Sequence, residues 1–478
     1  MQKTASAISS LFRNISLAVV LNLLIKTAWI LANNVVQDRV GHTDFGLYLA
    51  LYSFGFLFLA VSDMGINQYT TVTLAAQPTL LRKMFPSLLS LKLFFSGLYP
   101  LVMVGAGWLL GYAGQELYFL LLLAAVHAVL QINAFFRANF QAFQQFRIDA
   151  FASVLDRAVM LGIVVVLLLT HISVEAYIYA YLASAVVTMV LLYAFLSRVH
   201  GRLRPGGNRS EYQQLLRASL PFAIITVLYS VNDKIDQVML ERIIGGDAGK
   251  HETGLYGGAY RWVDTVMMYL WTVLPIFFAK FAHHRDEPAT LRKLLIFGQP
   301  IAALPMLFAG VFVLFYGEKL LFLFDHSSPA ELATMTVSMK VLFIAVLVNG
   351  FFAIYSTLLT STGHEGFVGR MIAVSIVLNV TMNAFLIPHY GAISCAWATV
   401  ASFSFLSLSY IWYIRFRLRL DLPFDLLGKL FGVGLLFAAA FWGLDRAGLP
   451  WWAVSALGAV VLAGLTFATR LLKLRPDA

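Results

Sequence analysis

The chain has 478 residues, 60% hydrophobic and 12% charged, about half the charged share of a soluble domain. Apolar stretches recur from end to end; about 14 crossings of about 22 residues leave connectors of only about 11, too short for a separate soluble catalytic domain. The net charge of +10 therefore has to be explained on a polytopic membrane protein rather than on a nucleic-acid binder.

Apolar runs bounded by turn residues predict helices at 14–36, 45–75, 85–112, 116–140, 148–170, 175–198, 216–244, 254–281, 292–316, 333–361, 366–388, 391–414, 424–444 and 449–469. Gly41, Gly111 to Gly114, Gly245-Gly246, Pro388 with Gly391, and Gly448-Leu449-Pro450 separate them. A β-barrel is excluded by pattern, because Val159 to Leu169 and Leu117 to Val126 are almost continuously apolar, whereas barrel strands alternate. The one cysteine, Cys395, lies in an apolar segment, which rules out an intrachain disulfide and a multi-cysteine metal centre. Met1 to Ser10 is polar and has no small-residue cleavage site after a short apolar core, so the first apolar segment is expected to stay as an anchor.

The polar stretch from Arg198 to Arg217 divides the chain near its middle. The expected organisation is an N-terminal lobe over 1–200, a cytoplasmic linker over 201–217, a C-terminal lobe over 218–415, and two further helices with a tail over 416–478. Of the 34 basic residues, 23 fall in the tails and alternate connectors that share a side with the N-terminus, and 5 in the opposite connectors. This is the positive-inside pattern, and it places both termini in the cytoplasm, with the basic faces meeting anionic lipid headgroups.

The chain repeats itself. Gly46-Leu47-Tyr48, opening span 2, matches Gly254-Leu255-Tyr256, opening span 8, and Asp38-Arg39-Val40 matches Glu241-Arg242-Ile243. Ala183-Ser184 likewise matches Ala401-Ser402. Six helices separate the copies, so the halves are parallel repeats, a transporter architecture.

Six basic residues remain within spans: Lys26, Lys92, Arg157, Lys234, Arg261 and Lys340. Five acids join them: Asp63, Asp156, Asp233, Asp236 and Asp264. A charge at the bilayer centre costs at least about 2.5–3.5 kcal/mol, so these groups must line a wet cavity, pair with one another or snorkel to an interface. Lys26 and Lys234 lie deepest, whereas Lys92 and Lys340 lie close enough to helix ends to snorkel, and Arg261 with Asp264 could be an intrahelical pair. Depth groups them in two layers, Asp233, Asp236, Arg261, Asp264 and Lys340 toward the outside, Asp63, Lys92, Asp156 and Arg157 toward the inside. The cations are candidate holders of an anionic headgroup, and the acids candidates for ion or proton coupling. His127 reads as a hydrogen-bonded packing residue.

Other chemistry finds no support. Gly245 to Lys250 lacks the spacing of a phosphate loop, and His283-His284 has no further ligand in metal-site spacing. No metal site and no cofactor are expected, apart from a coupling H+ or Na+.

Three stretches then resemble one family. They are Gly41 through Gly46-Leu47-Tyr48 to Asp63-Met64-Gly65-Ile66; Asp233 to Leu240 followed by Gly254-Leu255-Tyr256 and Ala259-Tyr260-Arg261; and Leu378-Asn379, Asn383, Leu386-Ile387-Pro388, Tyr390-Gly391-Ala392 and Ala398-Thr399. They resemble the polysaccharide transporters, or Wzx-type O-antigen flippases, of the multidrug/oligosaccharidyl-lipid/polysaccharide exporter superfamily. The resemblance implies an all-α integral membrane protein with about 14 transmembrane helices, two six-helix lobes enclosing a central cavity, and two C-terminal helices. It implies transfer of undecaprenyl-diphosphate-linked oligosaccharide across the bacterial inner membrane by alternating access, with no bond made or broken. Arg261 matches the family's Ala-Tyr-Arg position, while Lys26 and Lys234 are assigned from depth alone. Expected partners are lipid-linked oligosaccharide, membrane lipids and, as a candidate, polysaccharide polymerase machinery; no nucleic acid is expected, and the chain reads as a monomer. The competing readings are a drug/cation antiporter of the same fold and a membrane glycan-processing enzyme.

Overall fold

Long apolar runs without water must satisfy every backbone group internally, and the chain does so with helices. The computed structural model describes residues 25, 27–72, 78–143, 145–201 and 204–471, and among these there is no strand. After α1 (27–40) come α2 (His42–Leu57), α3 (Leu59–Asp63) and α4 (Ile66–Val72). Next are α5 (Pro78–Leu109), α6 (Gln115–Ala142), α7 (Phe146–Leu169), α8 (Val174–His200), α9 (Arg209–Ile244) and α10 (Gly246–His283). The remaining helices are α11 (Pro288–Tyr316), α12 (Pro329–Ser361), α13 (Glu365–Tyr390), α14 (Ala392–Trp412), α15 (Phe424–Arg446) and α16 (Trp451–Ala468). The 12 helices from α5 to α16 are each long and apolar enough to cross a membrane, and they coincide with predicted spans 3 to 14. The start of span 1 lies outside the described residues.

Span 2 is the main correction. It is not one helix over 45–75 but three pieces, broken at Phe58 and again at Met64-Gly65. Both residues of the second break are left-handed, Met64 at φ 46° and Gly65 at φ 73°, a conformation that glycine adopts at little cost. Gly65 is also where the backbone of α9 presses closest, since a Cβ there would lie 2.6 Å from the Ala223 amide nitrogen. A second difference concerns the polar stretch after Arg198. It turns helical at Arg209, because the Asn208 side chain accepts the Glu211 amide at 2.9 Å and caps the new helix.

The chain divides into two compact units, Met1–Gly254 and Leu255–Ala478. In the first, α2 packs on α6 and α9, α4 on α6 and α9, α5 on α6, and α8 on α6 and α7. One apolar cluster gathers Phe45, Phe54, Tyr99, Leu120 and Tyr177; a second gathers Leu88, Phe135, Phe140 and Leu196. In the second unit α12 packs on α11 and α14, α13 on α14, and α15 and α16 on α11. Its core joins Leu307, Val311, Leu430, Phe437 and Phe441. On α13 the buried Asn383 amide donates to Asn379 at 3.0 Å, so the asparagine pair is spent on packing polarity.

The repeat has a geometric counterpart within the first unit. A Cβ on Gly46 would strike the Lys250 carbonyl, and a Cβ on Gly254 would strike the His42 carbonyl. These are repeat mates in reciprocal contact, the relation that a two-fold arrangement of equivalent segments produces. Gly46→Ala is expected to lose about 1–3 kcal/mol by overpacking. Gly97→Ala, where nothing lies within 4 Å, is the control. Thermal unfolding of the detergent-solubilised variants checks this, and identical midpoints would refute it.

Candidate functional site

The break in span 2 positions the most buried charge. Lys92, on α5, is fully buried, and its Nζ donates to Asp63 Oδ1 at 2.7 Å and to Gln131 Oε1 at 3.3 Å. Asn67 completes the set, its amide side chain donating to Gln131 at 3.3 Å and its backbone N–H to Asp63 at 3.4 Å. Lys92 therefore does not snorkel. Ending α3 at Asp63 and restarting at Ile66 turns the Asp63 carboxylate and Asn67 toward the ammonium. A buried ion pair of this kind is tolerated when further hydrogen bonds satisfy both partners.

A second group is built on α2, α8 and α9, with Arg157 on α7, which packs on α8. The Lys234 ammonium sits 5.9 Å from the Phe56 ring centroid, within cation–π range, and 3.1 Å from the Asp233 carboxylate. Tyr52 lies one turn before Phe56 on α2. The Tyr52 and Tyr181 rings stack at 6.2 Å, and Trp29 extends the wall with its ring 6.3 Å from Tyr181. Arg157 is half-buried and makes no ion pair among the described residues. Its neighbour Asp156 accepts from the Ser184 hydroxyl at 3.4 Å.

Arg157 and Lys234 both sit well inside their helices. Arg157 and Lys234 lie about 18 and 15 Å from the C-terminal ends of α7 and α9, and Tyr52 about 15 Å from the start of α2, at 1.5 Å per residue. All three are thus more than two turns from those helix ends. His127 closes the wall from behind. Its Nδ1 pairs with the Tyr99 hydroxyl at 2.8 Å, that hydroxyl donates to the Gly55 carbonyl at 2.6 Å, and its ring meets Tyr52 edge-on at 4.6 Å. With the Tyr99 proton committed to Gly55, Nδ1 is the protonated nitrogen, and the histidine is a packing residue as read from the sequence.

The other candidates are dispersed. Lys26 lies outside the described residues. Asp236 is buried beside Gln237, which accepts a hydrogen bond from Ser53, whereas Asp233, three residues earlier, is more open, its side chain 38% exposed. In the second unit the Arg261 Nε donates to the Gly257 carbonyl at 3.3 Å, Asp264 is half-buried one turn on, and Lys340 is half-buried on α12. Among the described residues no cluster of His, Cys, Asp and Glu could hold a metal ion.

A polar network unforeseen in the sequence ties the α9–α10 turn to the α5–α6 turn. Glu241 accepts from Tyr112 at 2.9 Å and from Arg242 at 2.8 Å, and the Arg242 guanidinium lies 3.3 Å above the Tyr112 ring. Lys250 reaches Glu116 at 3.1 Å. Burial, with the Glu241 carboxylate beside it, pushes the Tyr112 hydroxyl well above its ordinary pKa, so it remains a donor.

Residues 11–279, more than half of the chain, match the polysaccharide biosynthesis protein family. The chain belongs to that family. Among curated proteins none is similar enough in sequence to count as a relative. Among solved structures, the lipid II flippase MurJ in an inward closed conformation superposes with a TM-score of 0.77 at 12% identity, covering 95% of this chain and 98% of that one. An inward-facing multidrug resistance MATE family transporter of the MOP superfamily gives 0.66 at 16%, covering 84% and 98%. A MOP superfamily transporter from Pyrococcus furiosus gives 0.59 at 14%, covering 85% and 94%. This polysaccharide biosynthesis family member is thus a multi-pass membrane protein with the fold of those transporters.

Lys92→Met leaves Asp63 buried without its counter-charge and is expected to cost about 3–5 kcal/mol. The double variant Asp63→Asn, Lys92→Met should recover most of that. Thermal unfolding in detergent checks both, and a single variant as stable as the wild type would show that the pair holds nothing together.

Proposed function

We propose that this protein is a flippase. It moves an undecaprenyl-diphosphate-linked oligosaccharide, an O-antigen or exopolysaccharide repeat unit, from the cytoplasmic to the periplasmic leaflet of the bacterial inner membrane. Family membership in polysaccharide biosynthesis supports the cargo class, and the fold shared with a lipid II flippase supports the type of movement. The observation that carries the reading is the Lys234 ammonium set against the Phe56 ring, with the Tyr52 and Tyr181 rings stacked beside it and Arg157 on α7 without an ion pair among the described residues. Two cations can neutralise a diphosphate that hydrocarbon rejects, and aromatic faces suit the apolar faces of sugar rings.

The division of labour follows from the partners. Arg157, with no ion pair among the described residues, presents a planar fork that meets phosphate oxygens two at a time. Lys234 is held by Asp233 until a stronger anion arrives. The polyprenyl tail stays in lipid while the headgroup crosses by alternating access, both termini remaining cytoplasmic. No covalent bond changes, and Asp233 and Asp156 are the groups through which H+ or Na+ would couple.

Arg157→Gln and Lys234→Gln are each expected to slow appearance of the glycan in the outer leaflet at least about tenfold, the effect of losing about 1.4 kcal/mol from one charge-assisted contact. A leaflet-accessibility assay in proteoliposomes carrying lipid-linked oligosaccharide reads this directly, with the mass of the glycan followed in parallel. Unchanged rates in both variants would remove the site. A changed glycan mass would make the protein an enzyme, and transport of organic cations that depends on Asp233 alone would make it an antiporter.

A further inference from the structure

One feature of the second unit belongs to no part of the headgroup site. Between the first two turns of α13 and the last two of α14 runs an apolar groove of about 360 Å³, lined by Phe367, Met371, Phe405, Leu408, Ser409 and Trp412. Leu408 is 67% exposed and Trp412 50%, so the groove opens sideways on helices that cross the membrane, where the surrounding solvent is hydrocarbon.

One end of the groove is aromatic and basic. The Tyr413 ring stacks on Phe367 at 4.0 Å with His364 at its edge, and there α14 passes into a five-residue π-helical turn, Tyr413–Arg417. Such turns add a residue to the helical ladder and so re-aim the side chains that follow. Around this end stand Arg370, Arg415 and Arg417, all exposed. Arg415 is held by Asp421 at 3.1 Å. Arg370 makes only a backbone bond to Gly366 at 3.2 Å, and neither it nor Arg417 has an ion-pair partner among the described residues.

We infer that the α13–α14 groove is a binding site for an anionic glycerophospholipid, one acyl chain lying along Phe405, Leu408 and Trp412 and the phosphate held by Arg370 and Arg417. An apolar slot that ends in unpaired guanidinium groups matches a molecule with a hydrocarbon tail and a negative head. The chemistry favours a resident lipid over polyprenyl cargo. The basic end lies at the helix termini, where a headgroup keeps its water, and Ser409 is the one polar residue lining the groove. The inference needs only that α13 and α14 cross the bilayer, so it stands or falls separately from the flippase reading.

The test uses the full-length protein, purified in detergent and titrated with phosphatidylglycerol, phosphatidylcholine or undecaprenyl diphosphate, with bound lipid counted by native mass spectrometry. Phosphatidylglycerol should be retained at least about fivefold over phosphatidylcholine, the contribution of a single surface arginine to an anionic lipid. The surface double variant Arg370→Gln, Arg417→Gln should bring the two lipids level. Ser409→Trp, which fills the groove and leaves the arginines in place, should remove the retention as well. Brominated phosphatidylglycerol should quench tryptophan fluorescence less in Trp412→Phe than in the wild type. Equal retention of the two phospholipids by the wild type, or unchanged preference in the arginine variant, would overturn the inference. So would retention of undecaprenyl diphosphate alone, or a Ser409→Trp protein with normal helix content that still holds phosphatidylglycerol.

Discussion

A charge inside hydrocarbon must find a counter-charge, a hydrogen-bond shell or water, and this requirement organises the whole molecule. It explains why a span that composition would allow to run straight is instead broken. The interruption at Met64-Gly65 lets Asp63 and Asn67 converge with Gln131 on Lys92. It also separates two kinds of cation. Lys92 is matched and fully enclosed, its contacts joining α3, α5 and α6. Arg157 is half-buried with no such partner among the described residues.

Much of the architecture was legible in the chain because membrane helices announce themselves by length and apolarity alone. Twelve predicted spans coincide with helices from α5 to α16, and turn glycines such as Gly245 and Gly391 fall at their ends. The inventory of intramembrane charges was equally readable, since a lysine or arginine in an apolar run stands out against its neighbours. What a linear reading cannot supply is which of those charges meet. Asp63 and Lys92 are 29 residues apart on different helices, and only packing makes them a pair.

The sequence reading also missed side chains that carry no charge. Tyr52, Phe56 and Tyr181 look like ordinary apolar filling, yet Lys234 is set against the Phe56 ring and the two tyrosine rings stack beside it. Tyr48, Tyr52 and Phe56 recur every four residues, and that spacing was the available signal, weakened because aromatics are common throughout the chain. The start of α9 shows a different limit. Polar composition after Arg198 suggested linker, while Asn208 with Glu211 three residues later held the capping signal that decides the point. Local hydrogen bonding outranked average polarity.

The meeting of Gly46 with Lys250 and of Gly254 with His42 is made of main chain on both sides. Such a joint has no rotamers to adjust and no methyl groups to yield. Any internal duplication that produced these mated segments would have had to keep both glycines from then on, since a bulky residue at one position is not relieved by shrinking the other, already the smallest available. The repeat would therefore be recorded in its most constrained place by two residues lacking a side chain altogether, while the tissue around them was free to diverge.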